Sequence, residues 1–312
     1  MPLRRDRREV LGASLVATLL SPCAAPRAFA QVQAAAEAPP FLGALEAQQW
    51  QGPRWGGQET GVVVLTPRER PAGRRWPMLV ALHGLGEARR GPIRGAWGWV
   101  RDYDLARADE ALRRGVLTRE DFRGLVSAER LAALNLSLRS VPYEGLVIVL
   151  PYTPDILRQP GDAAHQAYDH WLARTLVRRA QRELCVIADR SSTGIDGVSL
   201  GGLHSLWTGL GHPEVFGVVG AMQAAVRRRQ ALVLANRRRA RRGTSVRVRL
   251  VTSTRDVLRE DVLALDRMMT ARQIPHDLRL IEGPHDYIFN QGPGAVEMLL
   301  FHERALRGIE PV

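Results

Sequence analysis

A chain of 312 residues, 45% hydrophobic, holds enough apolar material for a full core, and its length suits one large α/β domain. The net charge of +12 is carried by arginine alone, since all 44 basic residues are Arg. Without a recognisable nucleic-acid module this reads as a composition bias, and no nucleic-acid partner is expected. Two distant cysteines, Cys23 and Cys185, exclude a Cys-based metal site.

The first thirty residues join a basic segment, an apolar stretch from Val10 to Leu20 and the A-x-A pattern Ala28-Phe29-Ala30. This is the layout of an export signal, and the stretch is short for a membrane span. Arg7-Arg8 followed by Glu9-Val10-Leu11 resembles a twin-arginine signal, so a periplasmic or extracellular location is expected. Cys23 falls inside this segment. Cys185, in the apolar "ELCVIA", is therefore expected to be a small buried hydrophobe without a disulfide partner.

Residues 31–58 are rich in Ala, Gln, Pro and Gly and read as a flexible arm before a domain over 59–312. From there, apolar runs of strand length alternate with segments of helical period. Strands are predicted at Gly61–Leu65, Met78–Leu82, Leu146–Leu150, Gly194–Val198, Val215–Ala221, Val246–Thr252 and Asp277–Ile281. Helices are predicted at 104–115, 119–136, 161–184, 200–211, 222–240, 258–273 and 293–307. Such alternation implies a mostly parallel sheet with helices on both faces. The stretch 84–145 is long for a crossover. With its "GAWGWVRDYD" it is expected to be a cap-like insertion roofing a site, with Trp97, Trp99, Arg101 and Tyr103 as substrate contacts.

Gly197-Val198-Ser199-Leu200-Gly201 fits G-x-S-x-G, a strand-to-helix turn with a serine at its apex. An acyl-transfer serine needs a base, an acid that orients the base, and two N–H donors for the oxyanion. Asp256 lies just past the tip of the predicted strand Val246–Thr252, where the acid is expected. His285 follows 29 residues later in the loop Gly283-Pro284-His285, where the base is expected. The other histidines sit in helices, at the wrong strand end or before the serine. Leu200 N–H, at the start of the elbow helix, and Leu85 N–H, in His83-Gly84-Leu85-Gly86, are the expected oxyanion donors, with His83 fixing the loop.

"LVALHGLGE", "LVIVLPYTPD", "IDGVSLGG" and "IEGPHDY" resemble the putative-esterase branch of the α/β-hydrolases over roughly residues 60–307. That branch includes feruloyl esterases, siderophore esterases, S-formylglutathione hydrolases and mycolyltransferases. The resemblance implies an α/β-hydrolase fold and hydrolysis of a small-molecule or lipid-like ester. It implies Ser199 as nucleophile, His285 as base and Asp256 as acid, with no cofactor and no metal. An acyltransferase of the same fold is the alternative. A non-catalytic binding protein is a third reading, against which the intact Ser, His and Asp argue. Ten arginines between Arg227 and Arg249 form a basic stretch, and weak association with an anionic envelope surface is its expected functional use.

Overall fold

The computed structural model describes residues 40–156, 163–239 and 245–312. The export segment with Cys23, the arm up to residue 39 and part of the arginine-rich stretch lie outside the described residues. Eight strands form one sheet: β1 (Leu45–Trp55), β2 (Gln58–Pro67), β3 (Met78–Leu82), β4 (Val147–Pro151), β5 (Thr193–Gly197), β6 (Val218–Met222), β7 (Arg247–Arg255) and β8 (Asp277–Pro284). Their order is β1-β2-β4-β3-β5-β6-β7-β8. β1 and β2 pair antiparallel, β2 pairs antiparallel with β4, and every pair beyond is parallel. The alternating pattern predicts this mostly parallel sheet, and its α/β-hydrolase arrangement is the one the family resemblance implies.

Seven strands lie where apolar runs predict them. β1 does not, because "LEAQQWQGPRW" has no apolar run and only Leu45 and Trp50 are buried. It is an edge strand, held by register with β2 rather than by burial, and residues 45–55 are therefore strand and not arm.

Side chains of the central strands alternate between the two faces, as the two-residue period requires. Met78, Val80, Leu82, Val147 and Val149 join one core cluster, while Leu79, Ala81, Ile148 and Leu150 join the other. The helices, in chain order, are α1 (Leu85–Ala88), α2 (Gly98–Arg101), α3 (Leu105–Arg114), α4 (Ala128–Ser140), α5 (Ala163–His170), α6 (Val177–Glu183), α7 (Leu200–Gly211), α8 (Gln230–Arg239), α9 (Arg259–Ala271), α10 (Tyr287–Phe289) and α11 (Ala295–Leu306). The first face is covered by α6, α7, α8 and α9, and the second by α2, α3, α4 and α11. The helix predicted at 119–136 is broken by Arg123 and Gly124, both at positive φ, and restarts at Ser127, whose hydroxyl caps Arg130 N–H at 3.1 Å.

The long crossover 84–145 is thus one of the two helical layers. A β3-to-β4 connection must cover the sheet face it crosses, and α2 to α4 do so with Trp99, Tyr103, Leu112, Leu134 and Leu138. Its length follows from packing, which corrects its reading as a roof. Two smaller expectations also change. Arg249 is not part of an exposed basic face: it is 3% exposed, pairs with Asp277 at 3.2 Å and stacks on Phe301 at 4.0 Å. Cys185 is only half-buried.

Trp99 is 0% exposed and meets Tyr103 edge-on with centroids 4.9 Å apart. Trp99→Ala is expected to cost about 3–5 kcal/mol in urea unfolding at pH 7. Trp97→Ala should cost less than half of that, because Trp97 is only half-buried.

Candidate active site

Ser199 stands between β5 and α7 with φ 57° and ψ −111°, a strained backbone for a residue with a Cβ. Three bonds hold it there. Val198 N–H donates to Leu82 O at 3.1 Å, Ser199 N–H to Met222 O at 2.9 Å, and Ala225 N–H to Ser199 O at 2.9 Å. A Cβ on Gly197 would stand 2.5 Å from the Gly201 carbonyl carbon, and one on Gly201 would stand 2.6 Å from that of Leu82. Both glycines of the motif are sterically required, because β3, β5 and α7 touch backbone to backbone here.

The other expected residues stand at neighbouring strand tips. His83 follows β3, Asp256 follows β7 and His285 follows β8. His285 Nδ1 lies 2.7 Å from Asp256 Oδ1. Asp256 also accepts from Thr252 Oγ1 at 2.7 Å and from Leu258 N–H at 2.8 Å, and its side chain is fully buried. Burial alone would raise its pKa. The bonds from His285, Leu258 N–H and Thr252 outweigh it and hold the carboxyl below its ordinary value. An ionised Asp256 accepts a hydrogen bond from His285 Nδ1–H, which keeps the proton on Nδ1 and leaves Nε2 as the free basic nitrogen.

His83 is a different histidine. Thr153 N–H donates to its Nε2 at 2.9 Å, so the proton sits on Nδ1 and points at Gly84 O, 2.9 Å away. Burial lowers its pKa to about 4, against a smaller opposing effect of that backbone bond. It is neutral, bonded at both nitrogens, and ties the loop after β3 to the end of β4. Leu85 opens α1 and Leu200 opens α7, and first-turn amides have no acceptor within their own helix. Both N–H groups therefore remain available to an oxyanion.

The four expected substrate contacts are placed elsewhere. Trp99 and Tyr103 are core residues with at most 2% exposure and present no surface to a ligand. Trp97 donates to Gln49 on edge strand β1 at 3.0 Å, and Arg101 lies over the Trp97 ring at 5.7 Å. β1 is four places from β5 in the sheet, so this pair braces the edge. Gln223, which the sequence reading missed, follows β6 directly with φ 45° and is fully buried. Its Nε2 donates to Ser253 Oγ at 2.7 Å and to Pro284 O at 2.8 Å. Because Met222 O holds Ser199 N–H, Gln223 links the serine turn to the histidine loop. A lone Gln after a strand carries no sequence signal for this role.

Residues 140–287 match the family model described as putative esterase, a span that contains Ser199, Asp256 and His285. No curated protein matches the chain. Among solved structures, a ferulic acid esterase aligns with a TM-score of 0.63 at 16% identity, covering 85% of this chain and 100% of its own. The feruloyl esterase module from Clostridium thermocellum, an S954A mutant complexed with sinapinate, aligns at 0.58 and 13% identity, covering 85% and 91%. S-formylglutathione hydrolase from Staphylococcus aureus aligns at 0.56 and 14% identity, covering 83% and 98%. At these identities the likeness shows the shared fold.

The depressed Asp256 pKa carries a signed pH dependence. Its stabilising bonds are fully present above the unfolded carboxyl value of about 4 and are lost as pH falls through the lower folded value. The stability advantage of the native protein over Asp256→Asn should hold steady from pH 7 to about 5. It should shrink below about 4, as followed by urea unfolding at each pH.

Proposed function

We propose that this chain, a member of the putative-esterase family and a serine hydrolase of carboxylic esters, works through an acyl-enzyme on Ser199 with His285 as base and Asp256 as orienting acid. The observation that carries the reading is the His285 Nδ1 to Asp256 Oδ1 bond of 2.7 Å at strand tips in the same sheet as the strained Ser199 turn. Ser199 Oγ attacks the ester carbonyl as its proton passes to His285 Nε2. The oxyanion is received by Leu85 and Leu200 N–H. Collapse breaks the ester C–O bond, and His285 returns the proton to the leaving alcohol. Water then repeats the sequence on the acyl-enzyme, releasing the acid and restoring Ser199. Asp256 keeps its negative charge throughout and stabilises the imidazolium.

The rim supports an ester with an apolar part. Val257, next to the acid, is 81% exposed, and Ile288, three residues past the base, is 51% exposed. Single exposed apolar residues are ordinary, but two flanking the acid and the base are suited to an acyl or alcohol chain. We read the export segment as directing this activity outside the cytoplasm, and the basic stretch around α8 as a weak contact for an anionic envelope.

A fluorophosphonate probe should label the native protein and not Ser199→Ala. Ser199→Ala and His285→Ala should each lower kcat by about 10⁶-fold, and Asp256→Ala by about 10⁴-fold. An active, labelled Ser199→Ala protein would overturn the assignment. In a series of p-nitrophenyl esters, kcat/KM should rise with acyl length, and Val257→Ser with Ile288→Ser should flatten that rise by about fourfold per methylene taken out of contact. A length profile unchanged by both substitutions would remove the rim from the pocket.

A further inference from the structure

Glu87 is 1% exposed, lies three residues after Gly84 and has no role in the chemistry above. A buried carboxylate without partners is costly. Here both oxygens accept a phenol: Tyr287 Oη–H donates to Oε1 at 2.8 Å, and Tyr103 Oη–H donates to Oε2. Each phenol is also an acceptor. Gly84 N–H donates to Tyr103 Oη at 3.2 Å, and Arg90 Nη2 donates to Tyr287 Oη at 3.2 Å. An amide and a guanidinium can only donate, so the single proton of each phenol must go to Glu87. The proton order is fixed across all five groups. Burial, and then the neighbouring Glu87, raises the pKa of Tyr103 well above and that of Tyr287 to about 12, so both phenols keep their protons at neutral pH.

The crossover is shaped to admit this carboxylate. A Cβ on Gly95 would stand 2.5 Å from Glu87 O, and one on Gly98 would stand 3.1 Å from Glu87 Cβ and overlap its Cγ. The Gly-Ala-Trp-Gly turn therefore closes on Glu87. On the other side, a Cβ on Gly86 would stand 2.9 Å from Tyr287 Oη. Arg90 is held in turn by Asp102, the residue before Tyr103.

We propose that Glu87 is a positioning residue that sets the anion-hole loop and the histidine loop in one register, with Tyr103 and Tyr287 as its two arms. The inference rests on the roles given to Ser199 and His285. Through Tyr103, Glu87 orients the Gly84 peptide and so the adjacent Leu85 N–H. Through Tyr287, it holds the loop that carries His285 two residues earlier. Both arms act through the position of the backbone they hold. Their effect is on where the donor and the base stand when charge develops, and such effects appear in kcat rather than in ground-state binding.

The test uses the full chain as Glu87→Gln and as the milder Tyr287→Phe. Gln keeps the volume but offers an NH₂ donor to a phenol that must also donate. Three measurements are made: kcat and KM on a short p-nitrophenyl ester, Ki for a trifluoromethyl ketone that forms a tetrahedral adduct, and amide hydrogen exchange of peptides 83–88 and 285–289. For Glu87→Gln, kcat should fall about 10–100-fold, less than the roughly 10²–10³-fold for outright loss of a donor. KM should stay within about threefold, and Ki should rise in parallel with the loss in kcat/KM. Both peptides should exchange faster together, and Tyr287→Phe should loosen 83–88 from across the molecule. Lower kcat with unchanged Ki would mark a merely structural residue and overturn the proposal, as would unchanged exchange in both peptides. A native protein that neither labels nor hydrolyses esters, with the two peptides still responding together, would sink the roles of Ser199 and His285 and leave the coupling supported.

Discussion

The contact between the end of β3 and the start of α7 is the constraint on which the rest of the site depends. Leu82 O is close enough to residue 201 that no Cβ fits there, and it also accepts Val198 N–H. Ser199 can hold its positive φ only while that contact and the bond to Met222 O persist, since the strain of such a backbone is on the order of 1–3 kcal/mol. One residue after Leu82 the chain becomes His83-Gly84, so Ser199 and the loop proposed to carry the second oxyanion donor are built on the two sides of a single backbone contact. Displacing β3 against β5 would move the Ser199 turn and the Gly84-Leu85 loop together.

Histidine–aspartate pairing does not mark the base by itself. His212 meets Asp169 at 3.1 Å, His276 meets Asp266 at 2.9 Å and His302 meets Asp196 at 2.9 Å, each as close as many functional pairs. His302 and Asp196 are sealed in the core beneath the elbow. His276 precedes β8 at the far end of the sheet, and His212 follows the last residue of α7. His285 alone among these four stands at the C-terminal tip of a strand, three places from β5 in the sheet, with its partner Asp256 at the tip of the adjacent β7. Position on the sheet separates the proposed base from the other three pairs.

The electrostatics follow the same division. His83 is neutral because it is buried and its Nε2 is committed to Thr153 N–H, so its work is to join two loops. Asp256 is ionised because three donors overcome the effect of burial. Glu87 and its two phenols add a third polar unit that is buried yet satisfied at both carboxylate oxygens, the condition under which a buried polar network adds specificity of position.

Much of this was legible in the sequence, because it depends on local pattern. Apolar runs of strand length located seven of the eight strands, and the order of Ser199, Asp256 and His285 at strand ends followed from where those runs stop. The glycines at 197 and 201 are legible because the motif that carries them is five residues long, although the contact that requires Gly201 is with Leu82 on a distant strand. What the tertiary structure decided is what depends on residues far apart in the chain. β1 is a strand because β2 lies beside it and not because its own residues are apolar. Trp99 and Tyr103 are core because the sheet face crossed by residues 84–145 needs cover, which their aromatic character alone could not distinguish from a pocket. Gln223 and Glu87 gain their places only when strands and loops separated by 30 to 200 residues come together. A single polar residue has no period to reveal it, and its meaning is set by the partners that folding brings within reach of a hydrogen bond.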